Sequence, residues 1–404
     1  MASNRRSLFI LALAVALIAA CGVPVAWQRW TNYRRDQFTR QCRAARSSQR
    51  WEELQGLAGD WTRWDPQNGE AWMNRGLAAN ARQQWAEAAE SFGHIQDSDS
   101  QVIPAMIEVS KLAFTHLNDP LKGVEACERI LKIDPRAAGA RQQLIWFFAM
   151  TLQRDKLLQQ IRDAIKYQRE PREAYVYYFL LYTLRSQDAV DLNSRWLKGA
   201  PDSELFLVAR VINLPDPQSE SPETPVPASP AADKRNELPA KSKLDQVQDL
   251  LVQFPHNLEL IAYKAEERFT DGDFAGAAAI LKNAPESAGQ DGRFWRFKGW
   301  LHESNRELEA SSTAYRKALE IHPVDWNTMN RLAIVERQRQ NVAEVQKLTE
   351  LVERGNETRK SLRQQKVETP SLQVLQELAR LFRDCGNEEF ASALERRLAG
   401  ARGR

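Results

Sequence analysis

From Gly292 to Asp325 the apolar and small residues fall in a fixed order. Counted from Gly292, Trp295 stands at position 4, Gly299 at 8, Ser311 at 20, Tyr315 at 24, Ala318 at 27 and Pro323 at 32. That spacing predicts two helices packed side by side. Small residues at 8 and 20 let the pair approach closely, aromatic residues at 4 and 24 fill the space around the contact, and proline at 32 stops the second helix. The order recurs with a fixed period, the span from Gly292 to Asp325 itself. One period earlier, Ala265, Ala277, Leu281 and Ala284 occupy positions 8, 20, 24 and 27, with Gly272-Asp273-Phe274 as the turn between helices; one period later stand Ala333, Val345, Thr349 and Val352. A further unit starts near Leu372 after an insertion of about 12 residues, with Ala379, Phe382 and Ala391 at positions 8, 11 and 20.

The amino-terminal half repeats this logic. In a unit from Gly69, Trp72, Gly76, Ala88 and Phe92 take positions 4, 8, 20 and 24, and Trp51 to Pro66 reads as the second helix of the unit before it. Units near Pro104, Ala138 and Arg172 to Pro201 are progressively degenerate, making about nine candidates in all. The pattern strongly resembles the tetratricopeptide repeat, with His302 in place of the expected Tyr at position 11. The resemblance implies an all-α fold, a solenoid of helical hairpins whose concave surface, lined mainly by the first helix of each hairpin, holds a protein or peptide. Members that grip carboxyl-terminal tails use Lys and Asn at positions 5 and 9 of a first repeat; here those positions are Ala262 and Glu266, Arg296 and Trp300, Asn330 and Ile334, and Met73 and Leu77. That clamp is absent.

Two stretches break the pattern. Ser7 to Trp27 carries no charge over 21 residues, about 31 Å as a helix and enough to cross a hydrocarbon core. Arg5 and Arg6 precede it, and Trp27, Trp30 and Tyr33 follow where interfacial aromatic residues would sit. The same residues also resemble a bacterial lipobox, Ile18-Ala19-Ala20-Cys21, which would make Cys21 the acylated residue, although Gly22 to Trp27 stays apolar where a polar tether is usual. Arg29, Arg34, Arg35 and Arg40 argue by the positive-inside rule for a cytoplasmic carboxyl side, whereas the signal-like start argues for export. We expect residues 1–30 to anchor the chain in a membrane, a bacterial inner membrane with the remainder exported, or to act as a lipoprotein signal. The second stretch, Asn213 to Lys243, holds 7 of the 18 prolines and no aromatic residue, too little apolar surface to fold. It divides the chain into a first array over residues 35–211, a linker over 212–243 and a second array over 244–399.

Composition narrows the chemistry. Lys plus Arg (56) nearly balances Asp plus Glu (53), without the basic excess of phosphate-tracking proteins, so nucleic acid is not the expected partner. Cys21, Cys42, Cys127 and Cys385 are too scattered for a zinc pattern, and no P-loop, G-x-S-x-G, H-E-x-x-H or dinucleotide fingerprint occurs. Neither metal nor cofactor is expected. Three readings remain: a membrane-attached, noncatalytic adaptor for a protein or peptide; an enzyme of cell-wall or glycan type with its site in the degenerate units; and a scaffold that self-associates. For the first, Arg293, Arg296 and Trp300 share one helix face at i, i+3, i+7, and Asn327, Asn330 and Arg337 lie on the corresponding face one period on. Cations, amides and an indole along one groove suit an extended acidic peptide.

Overall fold

The computed structural model describes residues 2–215, 242–365, 367 and 369–402, with side chains from residue 23 to residue 400. Two compact units divide the chain, Met1–Asp134 and Pro135–Arg404. The first contains α1 (Ala2–Ser47), α2 (Trp51–Trp64), α3 (Gly69–Ala81), α4 (Trp85–Gly93), α5 (Val102–Leu112), extended by a π-helical turn over Ala113–Leu117, and α6 (Pro120–Ile133). The second opens with α7 (Ala138–Met150), α8 (Arg154–Lys166), α9 (Glu173–Phe179), α10 (Gln187–Trp196), α11 (Glu204–Asn213), α12 (Lys243–Gln253) and α13 (Leu258–Thr270). It continues with α14 (Phe274–Leu281), α15 (Gly292–Ser304), α16 (Leu308–Ile321), α17 (Trp326–Gln338), α18 (Val342–Arg363), α19 (Leu372–Asp384) and α20 (Glu388–Arg402). Among the described residues there is no strand.

The period read from side chains is also written in the backbone. Gln49, Gln83, Asn118, Leu152, Gly272, Arg306, Gln340 and Gly386 all adopt positive φ, each ending the first helix of a hairpin, and most neighbouring pairs stand one period apart. After Arg306 the Glu307 amide donates to the His302 carbonyl at 2.9 Å, closing the helix end as a left-handed cap. The small residues sit where close packing requires them. A Cβ on Gly299 would lie 2.6 Å from the Tyr315 ring, and one on Gly76 would lie 2.4 Å from the Phe92 ring.

Two expectations fall on residues outside the description, and one boundary differs. The side chains of residues 7–22, most of the expected membrane span, and that of Cys21 lie outside those described; among the described residues no helix is long and apolar enough to cross a membrane. The linker residues 216–241 also lie outside the description. Residues 138–211, placed in the first array by the proline-rich break, belong to the second compact unit: Leu152, Val208, Val211 and Ile212 share a buried cluster with Val247, Leu250 and Leu260 from beyond the break. Core contact, not chain proximity, sets that boundary. The insertion before Leu372 is largely an extension of α18, which runs for 22 residues.

The segment Arg172 to Pro201 is not a hairpin of the repeating kind. All seven residues of α9 are buried. Buried on every side, α9 is not a surface helix with one packed face. Tyr178 stacks on Phe390 at 3.7 Å and meets Phe382 and His322 edge-on, Phe179 packs on Trp326, and the Tyr182 hydroxyl accepts the Gly292 N–H at 2.8 Å. The Asn387 amide also donates to the Tyr178 hydroxyl, and Arg397 donates to the Glu170 carbonyl at 2.6 Å. The last hairpin, α19–α20, thus packs back onto α9 within the second unit. Burial, foremost, raises the Tyr178 and Tyr182 hydroxyls well above the ordinary phenol range and pushes His322 down to about 4.

Candidate peptide-binding groove

In the second unit α13, α15 and α17 are the first helices of three successive hairpins. Their amino ends are capped one period apart by Asn257, which accepts from the Glu259 amide at 3.0 Å, by Asp291, which accepts from Arg293 N at 2.9 Å, and by Asp325, which accepts from Asn327 N at 3.1 Å. The two aspartates also bind the arginines expected to face a ligand. Arg293 Nη2 is 2.6 Å from Asp291 Oδ2, and its Nη1 is 3.0 Å from Glu259 Oε2. Glu259 is held from its other side by Arg154, whose Nε and Nη2 lie 2.8 and 2.9 Å from its two oxygens. Burial would raise the Glu259 carboxyl, but Arg154 and Arg293 outweigh it and hold the group well below the usual carboxylate range.

Arg296 is 2% exposed, with Nη1 at 2.8 Å from Asp325 Oδ2 and Nη2 at 3.4 Å from Glu266 Oε1. Trp300 lies flat on Phe269 at 4.7 Å while the Arg331 guanidinium sits 3.5 Å from its ring centre on the way to Glu303. Arg293, Arg296 and Trp300 do share one face, but they are consumed by contacts between successive repeats. Asn327 is half-buried; Asn330 and Arg337 are exposed. The charged cluster also floors a cleft of about 420 Å³ edged by Lys156, Glu204 and His256. Its buried arginines are already paired with acids.

The first unit presents a different surface. Residues of α1, α3 and α5 together line a cleft of about 360 Å³. Trp51 and Trp85, from the starts of α2 and α4, form half-buried walls; Trp85 is held by a stack on His116 at 4.2 Å with 16° between planes. Leu77 supplies the middle of the floor. Arg46 on α1 and Lys111 on α5 line the same cleft, both are exposed, and neither enters an ion pair among the described residues. One turn earlier on each helix, Arg43 is exposed and Ile107 is 50% exposed. Two cations outside any ion pair therefore flank a largely aromatic trough, whose lining also includes Asn80 and one acid, Glu108, a turn before Lys111.

Sequence reasoning passed over Arg46, Lys111, Trp51 and Trp85. The signal that separates them from Arg293 is the residue one period away. Arg293 has Glu259 one period earlier, whereas Arg46 faces forward to Asn80 and Lys111 back to Leu77, neither of which can neutralise a cation. Among the described residues the thiols join no metal-binding cluster. Cys42 and Cys127 are buried and free, and burial first of all pushes both up to about 11.

Comparison with known proteins locates the repeats. The family described as tetratricopeptide repeat matches residues 43–100 and 264–344, about a third of the chain. Those segments are tetratricopeptide repeats, and the described residues outside them are likewise helical and without strands. Solved structures with similar hairpins include a tetratricopeptide repeat protein from Parabacteroides merdae, at 12% identity and a TM-score of 0.27 over 74% of this chain and 98% of that one. Yeast Tom70 aligns at 11% identity and 0.27 over 90% and 88%, and the human IFIT1 dimer with PPP-AAAA at 11% and 0.33 over 90% and 89%. No curated protein matches the sequence.

Proposed function

We propose that this protein is a noncatalytic adaptor, held at a membrane through the uncharged run from Ser7 to Trp27, that grips an acidic protein segment in the groove of its first unit. The observation that carries the reading is the pairing of unneutralised Arg46 and Lys111 with Trp51, Trp85 and Leu77 in one cleft. Exposed arginine and lysine would bind carboxylates on either side, and the indole walls would take an apolar side chain between them as an anchor. The carboxyl-terminal face, first expected to do this, is less suited because its arginines are already bound to Glu259, Asp291 and Asp325.

The test is a peptide array varied in acidic and apolar positions, read with the full chain and with Arg46→Glu/Lys111→Glu. Acidic peptides carrying a Leu or Phe should bind best, and charge reversal should weaken them by roughly tenfold or more. Both residues are exposed and unpaired among the described residues, so the melting temperature should stay nearly constant. Unchanged binding by the folded double variant would remove this cleft from the function.

A further inference from the structure

Helix α1 carries one seam at helical spacing, formed by Trp27, Trp30, Arg34, Phe38, Cys42 and Ala45. Its carboxyl-terminal part is covered. Cys42 and Ala45 are fully buried, Phe38 stacks on Trp61 at 5.6 Å, and the Arg34 guanidinium lies 5.3 Å from the ring centres of both Trp30 and Trp64. Helix α2 ends at Trp64, and the cover ends with it. Beyond that point Val23, Val25, Trp27, Trp30 and Tyr33 are 65, 51, 64, 43 and 63% exposed. They are five of the eleven large apolar side chains exposed among the described residues, gathered within eleven positions, which is a patch and not scatter.

Charge is gathered in the same region. Residues 23–35 hold three arginines, Arg29, Arg34 and Arg35, and no acid, a formal +3 equal to that of the whole chain. Arg35 binds Asp65 and Arg34 is spent on the rings around it, but Arg29, between the two tryptophans, makes no ion pair among the described residues.

We infer that this collar of α1, residues 23–35, seats in the headgroup layer of an anionic bilayer. The inference rests on the membrane reading of residues 7–27 given above. The uncharged run ends at Trp27, within the collar, and Trp27 to Tyr33 rises about 9 Å along a helix, close to the thickness of one headgroup layer. Indole and phenol rings place an apolar body against acyl chains while keeping a polar tip hydrated. Arg29, between the two tryptophans, draws acidic lipids to the same depth. A second copy laid on the seam would cover the indoles but would set like charges against each other.

Trp27 emission, isolated as the difference between the full wild-type chain and Trp27→Phe, reads the seating in vesicles of phosphatidylcholine mixed with phosphatidylglycerol. Bromine placed high on the acyl chains should extinguish that difference signal, and bromine near the chain ends should do so less. In vesicles of phosphatidylcholine alone the loss should be smaller; equal loss would overturn the assignment to anionic lipid. Sedimentation with the vesicles reports the anchor separately. A chain that sediments while its Trp27 signal resists bromine overturns the collar and leaves the anchor standing, and one that stays in the supernatant overturns both. A signal that follows protein density and not bromine puts a second copy on the face and also overturns the inference.

Discussion

Arg296→Ala should destabilise the second unit instead of merely baring a binding face. Arg296 and Asp325 are 2% and 3% exposed and joined at 2.8 Å, so removing the guanidinium strands a carboxylate away from water. Breaking a buried pair from one side costs about 3–5 kcal/mol. Asp325 keeps hydrogen bonds from Asn327 N, Thr328 N and Thr328 Oγ1, which favours the low end, about 3 kcal/mol. The exposed Arg337 is the control, with no ion pair among the described residues, and Arg337→Ala should stay within about 0.5 kcal/mol of wild type. Urea unfolding followed by helical circular dichroism compares the three proteins. The pH dependence has a definite sign. Burial alone would raise the Asp325 carboxyl, but Arg296 and the Thr328 hydrogen bonds hold it below its ordinary value. A depressed acid contributes its stability in full above the unfolded-state pKa, about 4, and loses it as pH falls through the lower folded-state value. The gap between wild type and Arg296→Ala should therefore be complete at neutral pH and narrow in acid. Coincident midpoints for Arg296→Ala and Arg337→Ala, or a gap indifferent to pH, would refute the buried pair.

Two further substitutions probe the packing. Gly56 is exposed with nothing near an added methyl, whereas a Cβ on Gly76 would enter the Phe92 ring; both gain equally from helix propensity on conversion to alanine, so Gly76→Ala should come out less stable than Gly56→Ala by about 1–3 kcal/mol, and equal urea midpoints would deny the tight contact. Tyr178→Phe leaves the Asn387 amide without its buried acceptor, an expected loss of about 1–3 kcal/mol, and calorimetry showing no loss would mean that the last hairpin does not dock there.

The hairpins were legible because their geometry demands particular residue sizes. Gly299 and Tyr315, or Gly76 and Phe92, announce a close approach wherever they stand at positions 8 and 24 of the repeat frame. The faces of α15 and α17 were legible for the same reason, since periodicity reports direction. It does not report what stands opposite. The fate of Arg293 and Arg296 depends on Glu259, Asp291 and Asp325, which only the stacking of successive repeats brings within reach. The burial of α9 was signalled by the uncharged run from Tyr175 to Phe179, but its neighbours His322 and Asn387 stand several repeats further along the chain, beyond the reach of any local pattern. Assigning residues 138–211 to the second unit likewise rests on Val208 and Ile212 meeting Val247 and Leu260 across the proline-rich break.

In an open stack each repeat touches only its neighbours, so duplication or loss of one unit changes length and little else. The packing of α19–α20 onto α9 removes that freedom. Tyr178 must meet Phe390 and Asn387 at the same time as Tyr182 meets Gly292 and Phe179 meets Trp326. One more hairpin inserted between α13 and α19 would carry the last one out of register with α9, and a hairpin deleted there would drive the two together. The number of hairpins between those contacts is thus set by a closure condition, as the number of subunits is in a ring. Divergence in this part of the chain is expected through substitution within repeats, with insertions admitted only where, as in the long α18, they leave the two ends of the closure where they are.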